Sequence, residues 1–304
     1  MKPDSLLDSS FGAVYRDLDL RTITDQAIEK ILHEVYYHRL VIIKNQTLTT
    51  QEFVNFSERL GMPDPYLQEN YHHPDYPVIF VSSNVERNGK KMGVSRTGGY
   101  WHTDTSFQPN PMALTMLYPQ IIPKINRRST LFVDMCEVYR KIPAELRMSL
   151  GKTQSLHSGR WHYKVRPGDA GLDISEILEL IDLHAPPSKH PTIFPHPVTH
   201  EPILYISPGF TISIDGMNYS ESDELLNLLF ELATQDELVK SVDWEIGDII
   251  IWDNRLLIHR SGRDTASAET LRQSVVKEEE TMVYRICMRD SYPFHPGIEK
   301  EISK

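Results

Sequence analysis

Three things are scarce in this chain. Cysteine occurs only at positions 136 and 287 of 304 residues. Both sit in apolar surroundings, so two buried, reduced thiols are expected and a disulfide-stapled secreted scaffold is not. Basic blocks are absent and the net charge is -10. Nucleic acid and anionic membrane surfaces need clustered Lys and Arg, so neither is expected as a partner. No apolar run approaches the length of a membrane span, and residues 1–11 carry acids and serines instead of a basic, then apolar, leader. These absences point to a cytoplasmic enzyme or binding protein. With 40% apolar and 24% charged residues, the chain has ample material for one large core.

The first sixty residues read as helix, strand, helix. Thr24 can cap a helix whose apolar positions Ile28, Ile31, Leu32 and Val35 share one face, and 40–43 is a β-branched run. Thr49 with Glu52 fits a capping box, and Gly61 stops the helix that carries Phe53, Phe56 and Leu60. Short apolar runs then dominate, at 78–81, 112–118, 131–133, 203–206, 249–252 and 282–288, separated by Pro, Gly and Asn. Helical insertions are expected around 174–183 and 221–232, the second capped by Ser220 or Ser222. Many short strands with scattered helices indicate a β-sandwich or jelly roll, read as one domain over 1–304. Residues 84–99 and 264–281 read as long surface loops.

His-x-Asp is a weak motif, of which a chain of this composition holds about one by chance. Two occur, His73-Pro74-Asp75 and His102-Thr103-Asp104. Residues i and i+2 of an extended segment face the same way, so a His and a carboxylate so spaced converge without strain. Pro74 disrupts a strand ladder, whereas 100–104 is compatible with a strand running into a loop. Downstream, 249–252 ends in the polar turn Asp253-Asn254-Arg255, and the next apolar run brings His259 to a sheet rim. Two imidazoles and one carboxylate suit iron(II) and leave three coordination positions open. On spacing alone, the alternative stays open that His102 is a hydrogen-bonded rim histidine and His259 a satisfied core one.

Four ordered motifs extend this pattern: Trp101-His102-Thr103-Asp104, then 129–135, then Gly247-Asp248 through Trp252-Asp253-Asn254-Arg255 to His259, and Tyr284-Arg285. From about residue 18 to residue 288 they resemble the taurine dioxygenase family of iron(II)/2-oxoglutarate oxygenases. The resemblance implies a double-stranded β-helix, mainly β with peripheral helices. It also implies iron(II) held by His102, Asp104 and His259, with 2-oxoglutarate and O2 as co-substrates and Thr130 and Arg285 on the 2-oxoglutarate carboxylate. A carboxylate in a dry pocket needs a bidentate guanidinium and a hydroxyl. Because 264–281 separates His259 from Arg285, Arg263 and Arg272 stand as alternatives for that role.

Pro65-Tyr66, Tyr71-His72-His73, 79–83 and Lys164-Val165-Arg166-Pro167 carry a narrower resemblance, to the oxidases of isonitrile lipopeptide biosynthesis. It implies conversion of an N-carboxymethyl-3-amino fatty acid into a 3-isocyano acid by oxidation and decarboxylation. Tyr66, Tyr71, Lys164 and Arg166 match its substrate pocket, with Tyr66 and Tyr71 also catalytic and Arg127 a further candidate. Leu67 and Arg263 depart from that pattern. Independently of any family, a strand over 159–167 would put Arg160, His162, Lys164 and Arg166 on one face. On an acidic protein such a ladder suits a small anionic substrate, although a solvated edge strand is the plainer alternative. Two rival readings remain: a taurine-type hydroxylase, with Arg289 on the substrate anion, and a non-catalytic cupin-like metal-binding module. Assembly into a homo-oligomer stays open.

Overall fold

A computed structural model of the protein describes residues 2–8, 10–124, 128–165, 167–262 and 279–297. The fold is mainly β, a double-stranded β-helix or jelly roll with helices at its periphery. Its larger sheet has eight strands. At the centre, Ile249–Asp253 lies antiparallel between Leu40–Ile43 and Leu114–Ile121, and Met282–Arg289 pairs with the far side of Leu114–Ile121. Every residue of Leu40–Ile43 and Ile249–Asp253 is buried. Such continuous apolar runs belong to strands covered on both faces. The outer cover here includes the helix Asp25–His38, which packs on both strands.

That helix starts at Thr24, whose hydroxyl accepts from the Ala27 N–H, and Thr50–Leu60 starts at the Thr49–Glu52 capping box. Gly61 ends the second helix as expected, but its φ of 175° is ordinary extended backbone. Glycine is needed there because a Cβ would strike the Arg289 carbonyl.

The smaller half of the jelly roll is built from short sheets. Ser129–Asp134 lies between Lys240–Asp243 and Leu257–Ser261, and Gln154–His157 between Ser188–Pro191 and Thr211–Ile214. The expected strands at 78–81 and 203–206 fall at Phe80–Ser83 and Pro202–Leu204. Helices stand at Ile174–His184 and Tyr219–Ala233, the latter capped by Asn218 and not by Ser220 or Ser222. Asn218 closes a capping box with Glu221, whereas Ser222 is already inside the helix and accepts from the Ile214 N–H.

The strand considered over 159–167 is absent among the described residues of that span. Arg160–His162 is a 3-10 turn followed by irregular chain. The preceding strand, Gln154–His157, has both edges occupied, so this segment finds no ladder to extend. Within 84–99, Glu86–Arg87 and Lys90–Lys91 pair across Asn88 and Gly89, both at positive φ. Of 264–281, only 279–281 lies within the described residues. No helix among them is long and apolar enough to cross a membrane. Cys136 and Cys287 are both buried and free.

Candidate metal centre

Two pieces of backbone bring the three expected ligands together. His259 sits in the middle of Leu257–Ser261, paired with Phe132 on one side. On the other side it exchanges both backbone hydrogen bonds with His102, at 2.9 and 2.7 Å. This isolated bridge sets the two imidazoles side by side, their centroids 4.3 Å apart. Two residues on, Asp104 turns its carboxylate to the same place, and the chain leaves through Thr105 at φ 59°. Asp104 Oδ1 is 3.7 Å from His102 Nε2, and Oδ2 is 3.8 Å from His259 Nε2. One ligand atom from each residue lies within 4.8 Å of the other two, and all three residues are buried. His73 stays apart, tilted against Tyr76 and edge-on to Tyr284.

The protonation states suit a cation. His102 Nδ1 lies 2.8 Å from the Tyr100 carbonyl. A carbonyl can only accept, so the proton is on Nδ1 and the lone pair of Nε2 faces inward. Burial lowers the pKa of both histidines, and that of His259 well below its ordinary value, so both rings are neutral. Burial alone would raise Asp104, but the Arg285 guanidinium at 2.7 Å outweighs it and holds the carboxyl below its usual range. His259 Nδ1 is buried without a partner. Two neutral imidazoles and one ionised carboxylate on a common point form a donor set that fits iron(II).

The triad opens into a cavity of about 750 Å³ whose walls include Tyr66, Tyr71, Thr130, Lys164 and Arg285. Tyr71 stacks on Phe80 at 4.4 Å, with Tyr66 edge-on to both. Arg285 lies over Phe80, 3.9 Å from the ring centre, and its Nε is buried and unpartnered. Thr130 Oγ1 accepts from Trp244 Nε1 at 2.9 Å, leaving its own proton to donate. Lys164 donates to the Arg96 carbonyl at 3.4 Å, and both residues line the cavity.

The remaining candidates separate. Arg160 pairs with Asp182 at 3.1 Å. His162 stacks on Tyr100 with centroids 3.4 Å apart, and burial, assisted by His102, lowers its pKa to about 4. The cationic ladder is therefore reduced to Lys164 among the described residues, because Arg166, like Arg127, Arg263 and Arg272, lies outside them. Arg289 pairs with Asp64 at 3.1 Å and does not line the cavity. Tyr100, Arg128 and Trp244 line it and were not foreseen. The Tyr100 ring packs on His102, two positions after it, which the i, i+2 spacing could have suggested. Nothing local marks Arg128 or Trp244.

Known proteins of one family resemble the chain in both sequence and fold. The profile described as Taurine catabolism dioxygenase TauD, TfdA family matches residues 3–273. Pentalenolactone F synthase of Streptomyces avermitilis is 28% identical over 268 residues, covering 83% of this chain and 85% of the relative. The alpha-ketoglutarate-dependent 2,4-dichlorophenoxyacetate dioxygenase of Cupriavidus pinatubonensis is 26% identical over 284 residues, covering 88% and 95%. The solved structure of a taurine dioxygenase from Burkholderia xenovorans superposes with a TM-score of 0.73 at 26% identity, covering 97% and 90%.

Proposed function

The chain belongs to the taurine catabolism dioxygenase TauD, TfdA family, and from that premise we propose that it oxidises an N-carboxymethyl-3-amino fatty acid to the 3-isocyano acid. It is an oxidoreductase that uses iron(II), 2-oxoglutarate and O2, which excludes a non-catalytic cupin-like module. We assign iron(II) to His102, Asp104 and His259, and the 2-oxoglutarate carboxylate to Thr130 and Arg285. The spare hydroxyl proton of Thr130 and the unpartnered Nε of Arg285 are the donors a carboxylate would take up. Bound iron(II) supplies O2 activation, driven by decarboxylation of 2-oxoglutarate. The chain's own residues orient the acid: Lys164 and Arg166 receive its carboxylates, while Tyr66 and Tyr71 hold the amine and its methylene.

The observation that carries this reading is the cavity. Its volume of about 750 Å³, running from the triad to Lys164, is in the upper range of small-molecule sites and has room for an elongated acid beside the co-substrate. Residues 1–304 are read as one oxygenase domain, since a single apolar cluster draws on positions from Phe11 to Phe294.

Taking R–NH–CH2–COOH to R–NC and CO2 removes four hydrogens. Each 2-oxoglutarate turnover removes two, so two molecules of 2-oxoglutarate and two of O2 are consumed per isonitrile. Mass spectrometry of products from N-carboxymethyl-3-aminoalkanoates, with iron and 2-oxoglutarate, should find the isocyanide with two succinates for each. The second reading, hydroxylation of a small sulfonate or carboxylate, is favoured by the likeness to a taurine dioxygenase and a 2,4-dichlorophenoxyacetate dioxygenase. A hydroxylated acid with one succinate, or sulfite from taurine, would establish it instead.

A further inference from the structure

We infer that Trp252, Asn254 and Thr115 form a positioning relay that sets the orientation of the Asp104 carboxylate and, through it, metal affinity; the inference rests on Asp104 being a metal ligand. Asn254 is fully buried at the turn between Ile249–Asp253 and Leu257–Ser261. Its amide orientation is set by its neighbours. Trp252 Nε1 can only donate, and it donates to Asn254 Oδ1 at 2.9 Å. Nδ2 therefore faces the Met112 carbonyl at 3.1 Å and Thr115 Oγ1 at 2.8 Å, and donates to both.

Because Thr115 Oγ1 accepts from Asn254, its single proton must go elsewhere. Within reach are Asp104 Oδ2 at 2.8 Å and Cys287 Sγ at 3.3 Å. An ionised carboxylate is the stronger acceptor, so the proton goes to Asp104. The carboxylate thus receives Thr115 on Oδ2 and Arg285 on Oδ1, and cannot rotate without breaking one of the two. The relay also reaches a second ligand, because the Trp252 ring lies edge-on to His259 with centroids 4.9 Å apart. One chain of donors thereby ties Asp104 to the strand turn that delivers His259.

The test is metal binding, measured anaerobically on the whole chain by calorimetry with Fe(II) and by the visible absorption of bound Co(II). Thr115→Val keeps the shape and removes the hydroxyl. It should weaken binding roughly 10- to 100-fold and shift the Co(II) bands, with the melting temperature followed alongside. Thr115→Ser restores the donor and should return both readouts to the wild-type values. Asn254→Asp removes the amide donor and takes the Thr115 proton for itself, so it should mimic Thr115→Val, and it decides the matter if Thr115→Val does not fold. Wild-type affinity and spectrum in a folded Thr115→Val or Asn254→Asp protein would overturn the relay. Asp104→Ala binding metal as wild type does would instead overturn the ligand assignment beneath it.

Discussion

Arg285 is where charge, burial and chemistry meet at the scale of one side chain. Its Nη1 holds Asp104 at 2.7 Å, its plane covers Phe80, and its Nε has no partner. A lysine would keep the charge but not the fork, so Arg285→Lys can serve the Asp104 carboxylate or that of 2-oxoglutarate, and not both. Losing one charge-assisted bond costs about 1.5–3 kcal/mol. The expected result is a rise in KM for 2-oxoglutarate of roughly 10- to 100-fold, read from succinate release. Lys164 lines the same cavity. Lys164→Ala should raise KM for the acid substrate while substrate-free 2-oxoglutarate turnover stays unchanged; equal effects on both would remove Lys164 from substrate binding.

At the scale of elements, the turn between Ile249–Asp253 and Leu257–Ser261 is held by a buried ionic network. Arg255 lies 2.7 Å from Asp253 and also pairs with Asp290 at the end of Met282–Arg289. His196 approaches Asp253 at 3.0 Å, and the Tyr36 hydroxyl donates to Asp290 at 2.9 Å. Arg255→Met would leave two carboxylates buried without a counter-charge. A loss of about 3–5 kcal/mol is expected, measured as a lower denaturant midpoint with an unchanged slope. The same network shows why an apolar strand ends in three polar residues: Asp253 and Arg255 anchor the turn while Asn254, between them, hydrogen-bonds Trp252 and Thr115.

Across the whole molecule, stability should depend on pH through histidines outside the candidate triad. His157 is fully buried with Nε2 unpartnered. Burial, then the nearby His190 and His295, hold it well below its ordinary value of 6.5, so the folded ring is neutral. The unfolded chain takes up that proton near 6.5 and then binds more protons than the folded one. Stability is therefore full above that pH and falls as the pH drops through it. Replacing the ring by one that cannot titrate, His157→Phe, should reduce the fall in melting temperature between about pH 7 and pH 5. An unchanged fall would assign acid sensitivity to other groups.

Much of this architecture can be read from local pattern. The capping residues Thr24 and Thr49, the apolar run at Ile249 and the alternation that pairs His102 with Asp104 all depend on neighbours a few positions away, so sequence is enough to place them. Four motifs in order then identify the reaction class. The segment 159–167 reads wrongly for the opposite reason. Whether alternating residues become a strand depends on a free ladder edge, and Gln154–His157 has none to offer. Arg289 shares a strand with Arg285, yet Asp64, more than two hundred residues away in the chain, occupies it. The sequence by itself pointed to the candidate triad through residue type and motif order and, through the resemblance those motifs carry, to the reaction class and the kind of fold. Only the tertiary structure decided that Lys164 lines the cavity while Arg160 and Arg289 pair elsewhere, how large the cavity is, and that Asn254 and Thr115 stand in hydrogen-bonded series behind the Asp104 carboxylate, because these depend on contacts between residues distant in the chain.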